Sequence, residues 1–308
     1  MSPEISVVIA AYNAEAYIER AMRSALSQEN VEVEVVVVND GSTDDTLAAA
    51  SGIDDIRVKC LSLARNSGPS AARNTGIAIS SAPWVAVLDA DDTLMPNRLA
   101  RLLELARKAK ADIVVDNLLV VDETDGKTFP MFKPSKMHRM KTIDLATFIA
   151  GNRRFLGGHT LGYLKPVISL EFLRRHRITY RTELRIGEDY MFLAEALASG
   201  AVCAVESTPG YQYNLRNASM SHRLSIEDVI HMAEADKRFL ARFKLSPAAA
   251  RAQKRREAAL KRGRAFTELV DVLKRRNIAA ACHTIRACPP AALQLWRPAM
   301  AHLGRIFK

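Results

Sequence analysis

The sequence predicts an α/β fold, in which a mostly parallel sheet is flanked by helices and followed by a basic helical C-terminal extension. Over residues 1–118, short runs rich in β-branched residues alternate with segments of helical periodicity. This order is typical of a parallel sheet with helices on both faces. The run VEVVVV is apolar at all but one position, which favours a strand buried on both faces. A surplus of Lys and Arg marks the extension.

The predicted elements follow one another closely along the chain. Apolar and β-branched runs predict strands at residues 5–10, 33–40, 57–61, 85–89 and 111–119. Helical spacing predicts helices at residues 14–27, 44–50 and 69–80, and another that begins at Pro96, a residue suited to a first helical turn. Further along, the pattern predicts a helix at residues 188–199, short strands at 202–206 and 211–215, and helices from residue 225 to the end.

Charge is distributed unevenly, which predicts two regions. Residues 237–308 contain 18 Lys and Arg against 3 Asp and Glu, a net charge of +15. The first 236 residues contain 26 Lys and Arg against 31 Asp and Glu, a net charge of −5. We therefore expect one domain over residues 1–224, with halves at 1–118 and 119–224, and a basic helical region over 225–308. Such a region concentrates anionic partners.

Composition argues against several classes of protein. The first residues enter a strand pattern at once, without a basic leader. No apolar run approaches the roughly 18 residues that a membrane-spanning helix needs. The four cysteines have neither the spacing of a zinc site nor that of a disulfide framework. We therefore expect a reduced, cytoplasmic protein whose contact with a membrane is peripheral.

Polar residues follow three of the predicted strands, and the carboxyl ends of neighbouring strands form the ligand site in open α/β sheets. Ala11 and Tyr12 follow the first strand, Asp40 ends the second, and Asp89 and Asp91 end the fourth. Closely spaced carboxylates suit Mg²⁺ or Mn²⁺ held together with substrate phosphates. The same residues also suit local roles, because acids often cap helices and NDGS is a strong turn sequence.

Six segments, taken in order, carry a resemblance to a known family. VVIAAYNAEAYI, VVVVNDGSTDDT, NSGPSAARNTGI and VLDADD together resemble the nucleotide-binding half of the inverting family 2 glycosyltransferases, which have the GT-A fold. GEDYMF and YNLRNASMS resemble that family's acceptor-side elements. The match covers about residues 4–222. One departure is Ala11, where many members have Pro, and it changes the stiffness of the loop more than its chemistry.

The resemblance implies a GT-A catalytic domain over residues 1–224, with residues 1–118 as its nucleotide-binding half. It implies that Tyr12 packs on a uracil base and that Asp40 accepts a hydrogen bond from the uracil N3–H. Asp89 resembles the ribose-binding carboxylate. The loop around Ala11, together with Asn66 and Arg73, would complete the nucleotide site, although Asn66 is equally a turn former and Arg73 equally a surface arginine.

The resemblance also implies a metal site and a closing loop. Asp91 resembles the ligand of Mn²⁺ or Mg²⁺, and His222 is a further candidate for a metal or phosphate ligand, although a lone loop histidine is more often simply exposed. Arg216, Ser219 and Ser221 match a family element that closes over the diphosphate. Such a lid excludes water and suppresses hydrolysis of the donor.

Asp189 is the candidate general base. Inverting transfer needs one carboxylate to take the proton of an acceptor hydroxyl, whereas hydrolases need a pair. Asp189 and Glu188 begin a predicted helix, where the dipole stabilises negative charge, and acids are common there for that reason alone. The family pattern favours Asp189 as the base and Glu188 as a residue that orients the acceptor.

The resemblance therefore implies a metal-dependent hexosyltransferase that moves a hexose, with glucose the expected one, from a UDP-sugar to a saccharide or lipid-linked saccharide. The expected process is exopolysaccharide or surface-polysaccharide synthesis. Two alternatives remain. A nucleotidyltransferase also uses an α/β sheet and metal-binding carboxylates, but AAYNAEAY is not its basic glycine-rich loop. A nonenzymatic nucleic-acid-binding protein would explain the basic region and leave the carboxylates unexplained.

The basic helical region has three possible partners. An anionic membrane surface attracts each Lys or Arg by about 1 kcal/mol. Nucleic acid attracts the same charges, but the region has few aromatic residues to stack on bases, and solvent is the third possibility. We expect the inner face of the cell membrane and no nucleic acid. Phe266, Leu269, Val270 and Leu273 recur at helical spacing and would enter the membrane interface or pack on the body.

Overall fold

A computed structural model describes residues 2–152, 159–215, 225–275 and 277–289. Within these residues, nine strands form one sheet in the order β3-β2-β1-β4-β8-β6-β9-β5, with β7 paired to β6. The strands are β1 (Ile5–Ala11), β2 (Val33–Asn39), β3 (Val58–Ser62), β4 (Trp84–Asp89), β5 (Thr93–Leu94), β6 (Ile113–Asp122), β7 (Thr128–Pro130), β8 (Val167–Ser169) and β9 (Cys203–Leu215).

Helices connect and cover these strands. They are α1 (Ile18–Leu26), α2 (Thr46–Ser51), α3 (Pro69–Ile79), α4 (Arg98–Ala109), α5 (Pro134–Arg139), α6 (Leu145–Ala150), α7 (Leu170–His176), α8 (Glu188–Ala198), α9 (Ile226–Arg242), α10 (Pro247–Lys274) and α11 (Ile278–Ala287). A 3₁₀ turn, Leu161–Tyr163, precedes β8.

The first half of the sheet is parallel, as the alternating pattern predicts. β1 pairs in parallel with β2 and with β4, and β2 pairs in parallel with β3. Every residue of β2 is buried, since helices lie on both faces. Gly76 brings α3 close to β1, because a Cβ atom at this position would lie 2.4 Å from a methyl group of Val8. This packing fixes the carboxyl ends of the parallel strands beside the start of α3.

In the second half of the sheet, short antiparallel strands separate longer parallel ones. β8 pairs antiparallel with both β4 and β6, and β9 runs parallel to β6. The short strands β5 and β7 are also antiparallel to their partners. The long strands therefore share one direction, and the prediction of a mostly parallel α/β sheet flanked by helices is confirmed.

Several element boundaries differ from the predictions. The strands predicted at residues 202–206 and 211–215 form the single strand β9, because it pairs with β6 on both sides of a register shift between Asp116 and Leu118. α1 begins four residues later than predicted, since Ala14 O accepts hydrogen bonds from the N–H groups of Tyr17 and Ile18 in a turn. α4 begins at Arg98, two residues after Pro96.

The helical extension predicted at the C-terminal end packs against the body of the protein. α10 contacts α6, α9 and α11, and Ala249 and Ala252 belong to the main core. Leu269 is fully buried, whereas Leu273 is exposed. The expected division at residue 224 falls in a segment outside the described residues, and it remains an expectation. Among the described helices, none has the length and apolar character needed to cross a membrane.

Glu34 is a buried carboxylate that joins the amino-terminal ends of the parallel strands. It accepts hydrogen bonds from the hydroxyl of Ser6, from Lys59 Nζ at 2.6 Å, and from Ser81 N at 2.6 Å. The N–H of Ala82 also donates to it, at 3.3 Å. Burial raises the pKa of Glu34, but these donors outweigh it and lower the pKa from 4.5 to about 2.

Glu34→Gln should lower the free energy of unfolding by about 2 kcal/mol at neutral pH, because the amide presents a donor where the carboxylate accepts. The depressed pKa stabilises the folded state above pH 4.5, and this contribution is lost as the pH falls toward 2. Urea unfolding across this pH range should therefore show that the free energy of unfolding of the wild type approaches that of the variant at the acid end. Glu171→Gln, at an exposed site paired with Arg175, is the control. A pH-independent difference between wild type and Glu34→Gln would contradict the assignment.

Candidate active site

A cavity of about 810 Å³ opens at the carboxyl edge of the parallel strands. One wall comes from the loops after β1, β2 and β4 and from the start of α3, and the facing wall comes from the segment before β8 and the start of α8. The cavity brings together the candidate residues Ala11, Tyr12, Asp40, Asn66, Arg73, Asp89, Asp91, Glu188 and Asp189.

Tyr12 lies on the wall formed by the loops after β1, β2 and β4, with 47% of its surface exposed, which leaves a ring face available for stacking. Ala11 ends β1, is buried, and accepts a hydrogen bond from the N–H of Asp40 at 2.8 Å. This bond holds the ends of β1 and β2 together. The loop therefore presents Tyr12 from a fixed base.

Asp40 is buried, and its two carboxylate oxygens accept hydrogen bonds from Ser67 N and Gly68 N, each at 2.8 Å. Asn66 Oδ1 accepts a further bond from Gly68 N at 3.1 Å. Asp40 and Asn66 therefore organise the turn before α3 as well as lining the cavity. Each carboxylate oxygen has a second lone pair, so the turn role leaves acceptor capacity toward the cavity.

Two buried cations hold three carboxylates at the centre of the cavity. Arg73 Nη2 lies 2.7 Å from Asp89 Oδ1, and its Nη1 lies 3.0 Å from Glu188 Oε1. The same Nη1 lies 3.1 Å from Asp189 Oδ1. Lys165 Nζ lies 2.8 Å from Asp89 Oδ2 and 2.9 Å from Asp189 Oδ2. The cluster therefore joins the end of β4 to the first turn of α8.

Burial and charge set the pKa values in this cluster. Burial raises the pKa of Asp89, but Lys165 and Arg73 outweigh it and hold the pKa well below its usual range. Burial and the neighbouring charge of Asp189 raise the pKa of Glu188. Burial lowers the pKa of Lys165, but Asp189 and Asp89 outweigh it and hold the pKa well above its usual range. Lys165 is therefore a fixed positive charge.

Sequence reasoning missed Lys165, which lies two residues before the three-residue strand β8. Because β8 runs antiparallel to β4 with Val167 opposite Ala86, the segment just before β8 lies beside the end of β4 and places Lys165 against Asp89. The backbone carbonyl of Lys165 accepts a hydrogen bond from Arg98 Nη2 at 2.6 Å, and the fully buried Arg98 is paired with Asp116 at 2.8 Å. The signal in the sequence was only a lysine and proline before a short apolar run.

The carboxylates in the turn after β4 lie in different environments. Asp92 is buried and accepts hydrogen bonds from Tyr211 Oη at 2.7 Å and Asn214 N at 2.8 Å. Tyr211 Oη also accepts a bond from Asp89 N at 3.1 Å. Asp91 lines the cavity, and Asn214 Nδ2 donates to its backbone carbonyl at 2.7 Å. β9 therefore fixes the turn that carries Asp91.

The donor set at this turn fits a hard cation that takes further ligands from a substrate. Asp91 and Asp89 both line the cavity, and Asp89 pairs with two cations. Among the described residues, no group of three His, Cys, Asp or Glu side chains could hold a metal ion. Mg²⁺ typically binds proteins through one or two carboxylates plus substrate phosphates. The carboxylate of Asp91 therefore suits a Mg²⁺ or Mn²⁺ ion whose remaining ligands come from a bound substrate.

The start of α8 places two acids beside the cations. Gly187 precedes the helix with φ +92°, a conformation that glycine adopts without strain. Glu188 and Asp189 occupy the first turn, where the helix dipole favours negative charge. A side chain at Gly187 would also approach Met232 of α9, at 3.3 Å from the nearest atom. The Gly187-Glu188-Asp189 segment therefore packs closely against the C-terminal helices.

The C-terminal helices line the cavity, which the sequence did not indicate. Met232 of α9 and Arg256, Ala259 and Leu260 of α10 all face it. Four predicted site residues, Arg216, Ser219, Ser221 and His222, lie outside the described residues.

The family model for glycosyl transferase family 2 matches residues 6–169, which covers the parallel half of the sheet, the turn after β4 and the segment that carries Lys165. This chain belongs to glycosyltransferase family 2. The match confirms the resemblance that the motifs carry, and the protein is therefore a glycosyltransferase.

Two curated relatives of this glycosyltransferase come from Rhizobium meliloti strain 1021. The succinoglycan biosynthesis protein ExoO is 44% identical over 304 residues, which cover 99% of this chain and 87% of the relative. The succinoglycan biosynthesis protein ExoU is 38% identical over 262 residues, which cover 82% of this chain and 74% of the relative.

Solved structures of S. aureus TarS share the fold of this glycosyltransferase. TarS 1-349 in complex with UDP-GlcNAc superposes with a TM-score of 0.66 at 19% identity, covering 92% of this chain and 91% of that one. TarS 1-349 in complex with UDP superposes with a TM-score of 0.61 at 22% identity, and the match covers 86% of this chain and 70% of the TarS chain. The GT-A assignment is confirmed.

Arg73→Met should destabilise this glycosyltransferase by about 3 kcal/mol near neutral pH, because three partly buried carboxylates lose a shared buried cation. In the wild type, the depressed pKa of Asp89 stabilises the fold above pH 3.8, and this contribution is lost as the pH falls. The difference between wild type and variant should therefore shrink as the pH falls below 3.8.

Urea unfolding at several pH values measures this difference. Arg107→Met is the control, since it removes an exposed pair with Glu4 and should cost less than about 1 kcal/mol. A destabilisation by Arg73→Met that matches the control, or that grows toward acid, would contradict the account of the cluster.

Proposed function

We propose that this protein is a metal-dependent inverting hexosyltransferase that moves a hexose, in the first instance glucose, from a UDP-sugar to a saccharide or lipid-linked saccharide acceptor. The observation that carries the proposal is the shared contact of Arg73 and Lys165 with Asp89 and Asp189. This contact links a carboxylate on the nucleotide-facing wall to a carboxylate on the opposite wall. Donor and acceptor would meet between them.

The donor assignment is supported from two sides. Tyr12 offers an exposed ring for a uracil base, and Asp40 has acceptor capacity beside it. TarS, which shares the fold, forms complexes with UDP and UDP-GlcNAc. The names of ExoO and ExoU support a role in exopolysaccharide synthesis. Asn66 and Arg73 would complete the nucleotide site, and Asp89 would accept from the ribose hydroxyls.

A Mn²⁺ or Mg²⁺ ion held by Asp91 would supply charge stabilisation to the departing diphosphate. Asn214 of β9 bonds to Asp91 and Asp92, and these bonds keep the turn that carries Asp91 in place before substrate binds. Arg216, Ser219, Ser221 and His222 are proposed to close over the diphosphate or contact it. Their role follows from the resemblance of YNLRNASMS alone.

Asp189 is the proposed base. In the transfer step, the acceptor oxygen forms a bond to the anomeric carbon as the bond from that carbon to the diphosphate oxygen breaks. The acceptor proton passes to Asp189. Arg73 and Lys165 orient the Asp189 carboxylate from two sides, and Glu188 beside it is the proposed orienting group for the acceptor.

Asp189→Asn should reduce transfer from a UDP-sugar by about 10²- to 10⁴-fold, the usual contribution of a general base. UDP affinity should change little, because the donor contacts lie on the other wall. Glu188→Gln is the matched comparison at the neighbouring position and should lose less. Product formation and calorimetric UDP affinity are measured for both variants. Near-normal turnover in Asp189→Asn would move the base elsewhere.

The exposed face of α10 is proposed to bind an anionic membrane surface at the cytoplasmic side. Arg251, Lys254, Arg255 and Lys261 are exposed along it, and each contributes about 1 kcal/mol near an anionic bilayer. Leu273 at the end of α10 is exposed and could enter the interface. The opposite face of the same helix packs on the body, so removing the helix would also disturb the cavity.

Replacing these four basic residues with Glu should abolish sedimentation with phosphatidylserine liposomes and leave UDP affinity unchanged. The control carries the same charge change at exposed sites on other elements: Lys108, Lys110, Lys133 and Arg139. Equal liposome binding by the two variants would contradict a specific role for α10.

A further inference from the structure

The wall formed by α9 and α10 has the chemistry of a sugar-binding surface. Arg256 of α10 is only 6% exposed, yet it lines the cavity. Its Nε donates to Asp236 Oδ2 at 2.8 Å. Among the residues that the structure describes, Nη1 and Nη2 of Arg256 have no hydrogen-bond partner, and neither is sealed from solvent. A buried guanidinium therefore presents unused donors to the cavity.

Three helices hold this guanidinium in place. Its carbon lies 3.6 Å from the ring centroid of Tyr190 in α8. The ring of Tyr190 also stacks on Phe148 of α6, with 5.4 Å between centroids and 8° between planes. Because Tyr190 follows Asp189 directly, the stack fixes Arg256 close to the proposed base.

An apolar strip lies beside Arg256. Ile186, Met232 and Leu260 form a small cluster of buried side chains, separate from the main core, with Val229 behind them. The first three of these residues line the cavity. A pyranose ring has an apolar face of C–H groups and a rim of hydroxyls. The strip matches that face, and the guanidinium donors match that rim.

Charge on this wall favours a neutral ligand. Arg256 is paired with the buried Asp236, and Arg185, which also lines the cavity, is paired with Asp228 at 2.6 Å. Each arginine therefore has its own carboxylate, which leaves no excess positive charge for a phosphate or a uronic acid. The unused N–H donors remain available to hydroxyl oxygens.

We propose that Arg256, with the strip of Ile186, Met232 and Leu260, forms a subsite for a neutral sugar unit of the acceptor. The subsite deepens the proposed function and rests on it for the direction of transfer. It makes α10 a helix with two roles, since one face binds the acceptor and the opposite face is basic. Arg256 acts as a binding residue and takes no part in proton transfer.

Saturation-transfer NMR tests the subsite directly, with methyl β-cellobioside as the neutral probe and methyl β-glucuronide as the anionic one. The wild type should transfer saturation to the neutral glycoside in preference to the glucuronide. Arg256→Lys keeps the charge opposite Asp236 but loses the planar pair of donors, and it should weaken glycoside binding about tenfold or more. Ala259→Leu, which adds bulk to the cavity wall, should do the same without removing a polar contact.

Arg255→Lys is the matched control, because Arg255 is exposed on the same helix and adjacent in sequence. It should bind the glycoside like the wild type. Equal glycoside binding by all three variants, preference for the glucuronide, or no binding of the neutral glycoside to the wild type would each overturn the subsite. The UDP affinity of the wild type is measured in parallel. A wild type that binds the glycoside but not UDP would count against the proposed function instead.

Discussion

The contact of Arg73 and Lys165 with the carboxylates at the carboxyl edge of the sheet is the interaction on which the rest of the active site depends. Asp89, Glu188 and Asp189 would repel one another in a buried site without these cations. The two cations come from α3 and from the segment before β8, and the acids come from β4 and α8. One electrostatic cluster therefore joins the neighbouring elements α3 and β4 to the segment before β8 and to α8, which both lie much later in the sequence.

The supporting contacts explain how the cluster is kept in register. Arg98 and Asp116 form a fully buried pair that fixes the backbone of Lys165. Tyr211 ties β9 to the turn after β4 by bonding both Asp89 and Asp92. Buried polar groups of this kind are costly unless they are satisfied. These hydrogen bonds offset much of that cost, with Arg98 Nη1 left without a partner among the described residues. They make the geometry of the carboxylates a property of the whole sheet rather than of a flexible loop.

The sequence predicted the parallel half of the fold well because hydrophobic periodicity there is local. The run Val33–Asn39 is buried throughout, as a parallel strand requires. β8 has only three residues and was not predicted, and its antiparallel course is what delivers Lys165. No local sequence pattern encodes this antiparallel pairing, since it depends on strands that are distant in sequence.

A similar contrast separates the candidate residues at the strand ends from the candidate residue in α10. Tyr12, Asp40 and Asp89 follow strand ends, and the topological rule for open sheets brings strand ends together. Arg256 lies in a helix whose composition suggested only a basic surface. Its burial becomes visible through contacts with Tyr190 and Asp236, which no periodicity reports. Long-range packing thus decides which of the many arginines in this helix enters the cavity.

Calorimetric titration of UDP into the purified protein, with Mn²⁺ and again with a chelator, tests the central claim that this cavity is a metal-dependent UDP-sugar site. CDP and GDP are the base controls, and Asp91→Ala is compared with the exposed-site variant Asp45→Ala. The account predicts uridine-selective binding that requires the metal and is lost only in Asp91→Ala. Binding that ignores the base, survives the chelator, or persists in Asp91→Ala would contradict it.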